Sequence, residues 1–431
     1  MCGIIGYTGG TGTVDRLIEG LHALEYRGYD SAGVAIVDEC GNINVVKASG
    51  RLKNIEERLR NRIDLRTSGC GIGHTRWATH GAPTDINSHP HGTPSLQLVH
   101  NGIIENYLPL RQRLIDLGYT FESETDTDVA AKLLDYHYRS TGSHMTAIRR
   151  TICEIIGSYA LGIIFSDAPS RIYAVKKDSP LIVGCGNGEN YIASDITAIL
   201  RYTNKYYQLD SYEIDVIEKE QIVITDLDGN PKSKQPHCAN WDIQAAERGG
   251  YPHFMIKEIH EEPDALKKTL NPRIKNGIPD FSVDQSKDEI LRSVARIHIV
   301  ACGTAMHAGL YGKSLFESLA GIPAAVEIAS EFRYNNPIIG AGDLVVIISQ
   351  SGETADSLAA LRLAKQKGAY TLAIVNVIGS SIAREADHVI FTWAGPEIAV
   401  ASTKAYTVQA ALIALLAIKT NRISARQNRY K

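Results

Sequence analysis

The second residue of the chain is a cysteine, in the stretch "MCGIIGY". A thiol held at a chain terminus is a liability unless its reactivity is used. Removal of Met1, easy in front of so small a residue, would leave Cys2 carrying a thiol and a free α-amine together, a nucleophile with its own base attached. The competing reading is an apolar cysteine entering a first strand, "CGIIGY". A cysteine nucleophile needs a base, an oxyanion hole and groups that hold the substrate. An α-amine of pKa about 8 is partly neutral near pH 7 and can take the thiol proton. Three loops offer the rest: "EYRGYDSAG" with Arg27 and Asp30, "GHTRWATHG" with Arg76, Trp77, Thr79 and His80, and "HNGIIENY", where Asn101-Gly102 follows the strand "LQLV". The Asn101 amide and the Gly102 N–H can donate to a tetrahedral oxyanion. Arg76 offers a planar fork to a carboxylate, and Asp126 in "SETDTDVA" offers an acceptor for an ammonium. A site presenting both recognises a free α-amino acid.

Taken singly, several of these residues have plainer readings. Asn101-Gly102 reads as a hairpin turn, and Asp126 reads as the N-cap of a helix "TDVAAKLL". His89 and His91 in "SHPHG" resemble a metal pair, but no carboxylate or cysteine follows at ligand spacing, so no metal is expected. The glycine-rich "GTGT" at 10–13 is a weak phosphate signal.

A second constellation lies in "VVIISQSGETADSL", which places Ser349, Gln350, Ser351, Gly352 and Thr354 between a buried strand and a helix. Three hydroxyls beside helix N-terminal N–H groups suit a phosphate monoester. With no Walker lysine and no G-x-G-x-x-G, nucleotide binding is the weaker reading, and an ordinary N-cap leaves two hydroxyls unexplained. Two more loops, "VACGTAM" with Thr304 and "IAVASTKAYT" with Ser402 and Lys404, stand where an open parallel sheet binds ligands. Cys302 reads as a buried strand-end thiol.

Elements must position these groups. A chain of 431 residues exceeds one ordinary core and implies two or three domains. Up to about residue 225, β-rich runs ("SAGVAIV", "INVVKA", "LQLVHNGII", "YALGIIF", "RIYAVKK", "EIDVIEK") outnumber helical ones ("YLPLRQRLIDLG", "DTDVAAKLLDYHYRS"). That predicts a layered α+β domain of mainly antiparallel sheets over 2–225. Residues 226–288 read as a linker segment with a turn-rich start and an amphipathic helix "MIKEIHEEPDALKKTL". Over 289–431 the nearly continuous apolar runs "ARIHIVACG", "AAVEIAS", "DLVVIISQSG" and "YTLAIVN", each followed by a helical stretch, predict a doubly wound parallel α/β domain.

A net charge of −3 without long charged runs argues against nucleic acid or an anionic membrane as partner. The N-terminus shows no signal segment, and "AALIALLAI" from Ala410 to Ile418 is too short to span a bilayer. Seven scattered cysteines without a C-x-x-C pair predict neither disulfides nor zinc, and a cytoplasmic location.

The first domain resembles the class II glutamine amidotransferases through "MCGIIGY", "LEYRGYDSAG", "GHTRWATHG", "HNGIIENY" and "SETDTDV", in the family's order. The resemblance implies an N-terminal-nucleophile fold of α/β/β/α layers, with Cys2 hydrolysing glutamine to glutamate and ammonia. It further implies Asn101 and Gly102 as the oxyanion hole, Arg27 beside the nucleophile, and Arg76, Thr79, His80 and Asp126 on the glutamine carboxylate and amine. Trp77 would gate the ammonia exit. The loops of the second domain, with "HFMIKEIHEEPDAL" and "EIASEFRYN", resemble the first sugar isomerase (SIS) domain of the glutamine–fructose-6-phosphate aminotransferase family. That resemblance implies ammonia passing through an internal channel to fructose 6-phosphate, and glucosamine 6-phosphate as product. Thr304, Ser349, Gln350, Ser351, Thr354 and Ser402 would hold the sugar phosphate, without any cofactor, in a homodimer formed through the SIS domain. Two departures stand out. Ala305 replaces the family's usual serine after "CGT". The chain ends at "NRISARQNRYK", where the family continues with a second SIS domain and a tail bearing the isomerase acid–base residues and the sugar-ring lysine. A glutaminase that releases ammonia without aminating sugar, and a glutaminase joined to a sugar-phosphate sensor, therefore stand as alternatives.

Overall fold

The β-rich runs of the first half become two antiparallel sheets in the computed structural model, which describes residues 2–38, 40–65, 68–78, 81–239, 248–285 and 288–428. The chain divides into two compact units, residues 1–240 and 241–431. The strands of the first unit are β1 (Gly3–Thr8), β2 (Ser31–Val37), β3 (Ile43–Ser49), β4 (Cys70–Arg76), β5 (His91–Thr93), β6 (Leu96–Ile104) and β7 (Gly157–Phe165). They continue with β8 (Ile172–Lys177), β9 (Ile182–Cys185), β10 (Asn190–Ala193), β11 (Lys205–Gln208), β12 (Ile214–Ile217), β13 (Ile222–Thr225) and β14 (His237–Cys238). Its helices are α1 (Thr13–Leu24), α2 (Leu52–Leu59), α3 (Tyr107–Asp116), α4 (Asp126–Thr141) and α5 (His144–Glu154). One sheet runs β14-β11-β9-β10-β1-β4-β2-β3, the other β13-β12-β8-β7-β6-β5.

Alternation along the strands builds the layers. Ile5 joins Leu17 and Leu21 of α1, while its neighbour Ile4 joins Ile72, Val99 and Ile192 between the sheets. In β7, Leu161, Ile163 and Phe165 pack with Leu133 and Leu134 of α4 and Ile148 of α5, whereas Ala160 and Ile164 face the other sheet. Gly162 lets the sheets close: a Cβ there would lie 2.5 Å from Ile192 Cδ1. The order is helix, sheet, sheet, helix.

Of residues 226–288, those up to 240 belong to the first unit, where β14 pairs with β11, and those from 241 on open the second. There α6 (Phe254–Leu270) packs Ala265 with Ala394 and Val408. Then come β15 (Ile274–Lys275), β16 (Ile278–Pro279), α7 (Asp288–Ser293), β17 (Arg296–Ala301), α8 (Gly303–Leu315), β18 (Ala324–Ile328) and α9 (Ala329–Tyr334). The unit closes with β19 (Asp343–Ser349), α10 (Ala355–Gln366), β20 (Tyr370–Val375), α11 (Ser381–Glu385), β21 (His388–Phe391) and α12 (Lys404–Asn428). Its main sheet is wholly parallel, in the order β18-β17-β19-β20-β21. Ile299, Val346 and Ile374 meet Leu412 and Leu416 of α12 on one face, while Val300, Val345 and Ile347 meet Phe332 of α9 and Leu361 of α10 on the other. Burial on both faces is why these strands read as unbroken apolar runs. The strand order reverses between β17 and β19, so the loops leaving those two strands flank a crevice suited to a ligand. Among the described residues no helix is long and apolar enough to cross a membrane.

Candidate functional site

Cys2 stands at the head of β1, whose antiparallel register against β4 pairs Gly3 with Thr75. The end of β4 therefore meets the cysteine. The Trp77 amide donates to Cys2 Sγ at 3.3 Å, and from the second sheet Asn101 Nδ2 donates to the Cys2 carbonyl at 3.0 Å. Arg76, Trp77, Gly102, Asp126 and Thr127 line one cleft with Cys2.

Two of the plainer readings are corrected here. Asn101 and Gly102 are no hairpin turn: they lie inside β6, opposite Ala160 and Tyr159 of β7. Nine residues of ladder pairing outweigh the turn tendency of an Asn-Gly pair. Gly102 is held at φ +135°, and a Cβ there would sit 2.0 Å from the Ser158 carbonyl oxygen, so only glycine fits. Asp126 is not the N-cap of α4. Thr125 is, its side chain accepting from the Asp128 amide. The buried Asp126 carboxylate instead takes the Ile104 amide on Oδ2 at 2.8 Å, tying α4 to the end of β6.

Burial pushes the Cys2 thiol up from its ordinary pKa, with the Trp77 amide and Arg76 pulling the other way. At neutral pH it is a thiol that needs a base at hand. The buried Arg76 guanidinium donates to the Gly81 and Ala82 carbonyls, each at 3.2 Å, and burial presses its pKa down. Asp30 accepts the Ala78 amide at 2.9 Å and so fixes the chain after Trp77. The Trp77 ring meets Tyr29 edge-on at 5.3 Å. Arg27 is buried against Asp195 at 2.5 Å and the Tyr26 hydroxyl at 3.0 Å; it does not line the cleft. Thr79 and His80 lie outside the described residues.

Several site residues went unnoticed in the sequence: His74, His100 and Thr127. His74 lies two residues before Arg76 on β4 and so shares its face, a signal present in "GHTRW". His89 and His91 are core histidines, both pushed well below the ordinary imidazole pKa by burial. Their Nε2 atoms stand 3.3 Å from the Thr127 hydroxyl and 3.1 Å from the Thr125 hydroxyl, respectively.

In the second unit, Ser349 ends β19. Its hydroxyl accepts the Gly352 amide at 3.0 Å and lies 3.1 Å from the Thr354 hydroxyl. Ser351 accepts the Glu353 amide at 3.2 Å, and the Gln350 carbonyl accepts the Asn376 amide at 3.2 Å. These bonds curl the loop in front of α10. Thr304 is exposed in the first turn of α8, across the crevice, where Ala301 of β17 pairs with Ile348 of β19. Ala305 packs against the core beneath that turn. Ser402 is engaged elsewhere. Its hydroxyl donates to Glu397 Oε2 at 3.0 Å, while Glu397 Oε1 takes the Thr403 and Ala405 amides and caps α12. Lys404, buried, pairs with Glu261 at 2.6 Å.

The family model described as the glutamine amidotransferase domain matches residues 80–201, and that of the SIS domain matches 290–419. A glutamine–fructose-6-phosphate aminotransferase (isomerizing) of Caldanaerobacter subterraneus subsp. tengcongensis is 54% identical over 422 residues, 97% of this chain and 68% of that protein. The enzyme of the same name from Clostridium tetani is 51% identical, with the same coverage. The chain thus spans about two thirds of the length of these relatives. Among solved structures, the C-terminal domain of glucosamine-fructose-6-phosphate aminotransferase from Francisella tularensis is 40% identical. That match covers 42% of this chain and 51% of the other, with a TM-score of 0.40.

Proposed function

The chain belongs to the glutamine–fructose-6-phosphate aminotransferase (isomerizing) family, and from that premise we propose how its residues divide the work. The first unit hydrolyses glutamine at Cys2, and the second holds fructose 6-phosphate; the released ammonia replaces the C2 carbonyl oxygen, which leaves as water, and a proton shift from C1 to C2 completes glucosamine 6-phosphate. One observation carries the glutaminase assignment: Cys2, Arg76, Gly102 and Asp126, from four separate segments, line a single cleft.

Once Met1 is removed, the Cys2 α-amine takes the proton from Sγ. The thiolate attacks the side-chain amide carbon of glutamine. The carbonyl electron pair moves onto oxygen, where the Asn101 amide and the Gly102 N–H stabilise it. Collapse of the tetrahedral adduct breaks the C–N bond, and the α-ammonium returns its proton to the leaving ammonia. Water then cleaves the glutamyl thioester, giving glutamate and the free thiol. Arg76 holds the α-carboxylate with Thr79 and His80, and Asp126 holds the α-ammonium through Oδ1. Trp77, hydrogen-bonded to the nucleophile through its backbone, gates the ammonia. Arg27 acts one layer out, anchoring the turn it ends to Asp195.

In the second unit the phosphate dianion sits at the start of α10, where backbone amides and the hydroxyls of Ser349, Ser351 and Thr354 converge, with Gln350, Thr304 and Ser402 completing the sugar site. The assembly is a homodimer through this unit, supported by the exposed apolar side chains of Leu310, Tyr311 and Tyr334. Its place is the cytoplasm, in keeping with seven free cysteines. Measuring glutamate and hexosamine phosphate from one reaction tests the division of work. Cys2→Ala abolishes both products while leaving fructose 6-phosphate binding unchanged by calorimetry; glutamate released by that variant would overturn the assignment.

A further inference from the structure

Asn101 can serve an oxyanion only if its amide nitrogen, not its oxygen, faces the cleft. The hydrogen bonds around His74 decide this. His74 Nε2 lies 3.1 Å from the His100 carbonyl oxygen and 3.0 Å from Asn101 Oδ1. A carbonyl oxygen can only accept, so Nε2 must carry the proton. The Asn101 atom facing it must then be the oxygen, which turns Nδ2 to the Cys2 carbonyl, itself a pure acceptor at 3.0 Å. Two backbone carbonyls thus fix both ends of the relay. A carboxamide nitrogen has two hydrogens; one goes to Cys2 and the other is left for the substrate. Among the described residues His74 Nδ1 is buried without a hydrogen-bond partner, as suits a bare acceptor and not a donor. The ring is fully buried and stacks on His89 with centroids 4.0 Å apart and planes 14° from parallel. Burial holds its pKa down at about 3, so the neutral tautomer persists.

We propose that His74 is the positioning residue of the oxyanion hole, donating from Nε2 to Asn101 Oδ1 so that the amide nitrogen of Asn101 is held toward the reacting carbonyl of glutamine. The proposal rests on the glutaminase reading above. It adds a residue that touches neither substrate nor sulfur and acts through Asn101 alone.

Two amide substitutions separate positioning from mere packing. The side-chain nitrogen of His74→Gln can reach the place of Nε2, whereas that of His74→Asn stops a bond short. Both keep a neutral polar side chain in the same cavity. Glutamine hydrolysis is measured for both, alone and combined with Asn101→Ala, with Cys2→Ala as the control for the parent reading. The expected result is that His74→Gln keeps kcat within about threefold while His74→Asn loses about 10- to 100-fold, with KM changed less than about twofold in each, a fraction of the loss known for deleting an oxyanion donor outright. In the Asn101→Ala background the two variants become equal, because the group they position is gone. Equal losses for Gln and Asn in the parent background would overturn the proposal, as would an Asn penalty that persists without Asn101. Activity surviving Cys2→Ala would overturn the glutaminase reading itself, a separate outcome.

Discussion

Gly102 has no latitude. A methyl group placed on it meets the Ser158 carbonyl oxygen at 2.0 Å, and its φ of +135° is closed to ordinary side chains. Gly102→Ala must push β6 off β7 beside Asn101. We expect a loss of about 2 kcal/mol or more in a urea titration and a fall in kcat of about 100-fold or more; near-normal values of both would contradict the site. Asp126 allows a finer test. Asp126→Asn keeps an oxygen for the Ile104 amide but removes the charge. Glutamine binding should weaken by about 2–4 kcal/mol, the scale for breaking a buried charge pair. With a glutamine analogue lacking the α-amine, wild type should lose affinity and the variant should not; equal losses would contradict the ammonium assignment. At this scale the gathering of Cys2, Arg76 and Asp126 in one cleft was legible because few other tasks need those groups in that company. Local grammar misled where long-range pairing ruled: Asn-Gly signals a turn in isolation, but its ladder partners on β7, Ala160 opposite Asn101 and Tyr159 opposite Gly102, lie far along the chain and meet it only in the folded sheet. The face that His74 shares with Arg76 could be read from "GHTRW", but its bond to Asn101 could not, because that partner lies 27 positions away.

Among the elements, the loop between β19 and α10 is the most exposed to test. The Ser349 hydroxyl both accepts the Gly352 amide and faces Thr354, so it shapes the loop as well as offering a donor. Ser349→Ala should raise the Kd for fructose 6-phosphate by about 10- to 100-fold, the worth of one hydrogen bond to a charged group, without changing glutaminase turnover. Ser402→Ala should cost less, because that hydroxyl is engaged with Glu397. A Ser402 effect equal to that of Ser349, by calorimetry, would show that its bond to Glu397 yields to the ligand. The parallel strands were legible because burial on both faces leaves nothing to alternate. Their order was not: the reversal between β17 and β19 that brings Thr304 opposite Ser349 is decided by which face each crossover helix covers, here α8 beside Ile299 and α9 beside Val300.

At the scale of the molecule, the division into two units follows packing and not composition. The change of texture near residue 289 marks the start of the parallel sheet, but α6 already packs with the second unit through Ala265, while β14 still pairs with β11 in the first. Contacts between distant segments set such boundaries, and no local window contains them. The first unit also carries a pH signature. His74, His89 and His91 are buried neutral, their pKa values pressed far below the ordinary value near 6.5. Below that value the unfolded chain binds protons that the folded unit refuses, so stability present above it is lost as pH falls. The urea midpoint of the first unit should therefore drop between pH 7 and pH 5, and a midpoint constant over that range would contradict the neutral cluster. The central claim, that Cys2 attacks glutamine with its own α-amine as base, is tested most directly by acid-quenching the enzyme during turnover and weighing its N-terminal peptide. The account predicts a glutamyl group on Cys2 in protein that has lost Met1, and none in Cys2→Ala or in protein retaining Met1. Turnover without any such adduct on Cys2, or an equal adduct with Met1 still attached, would contradict it.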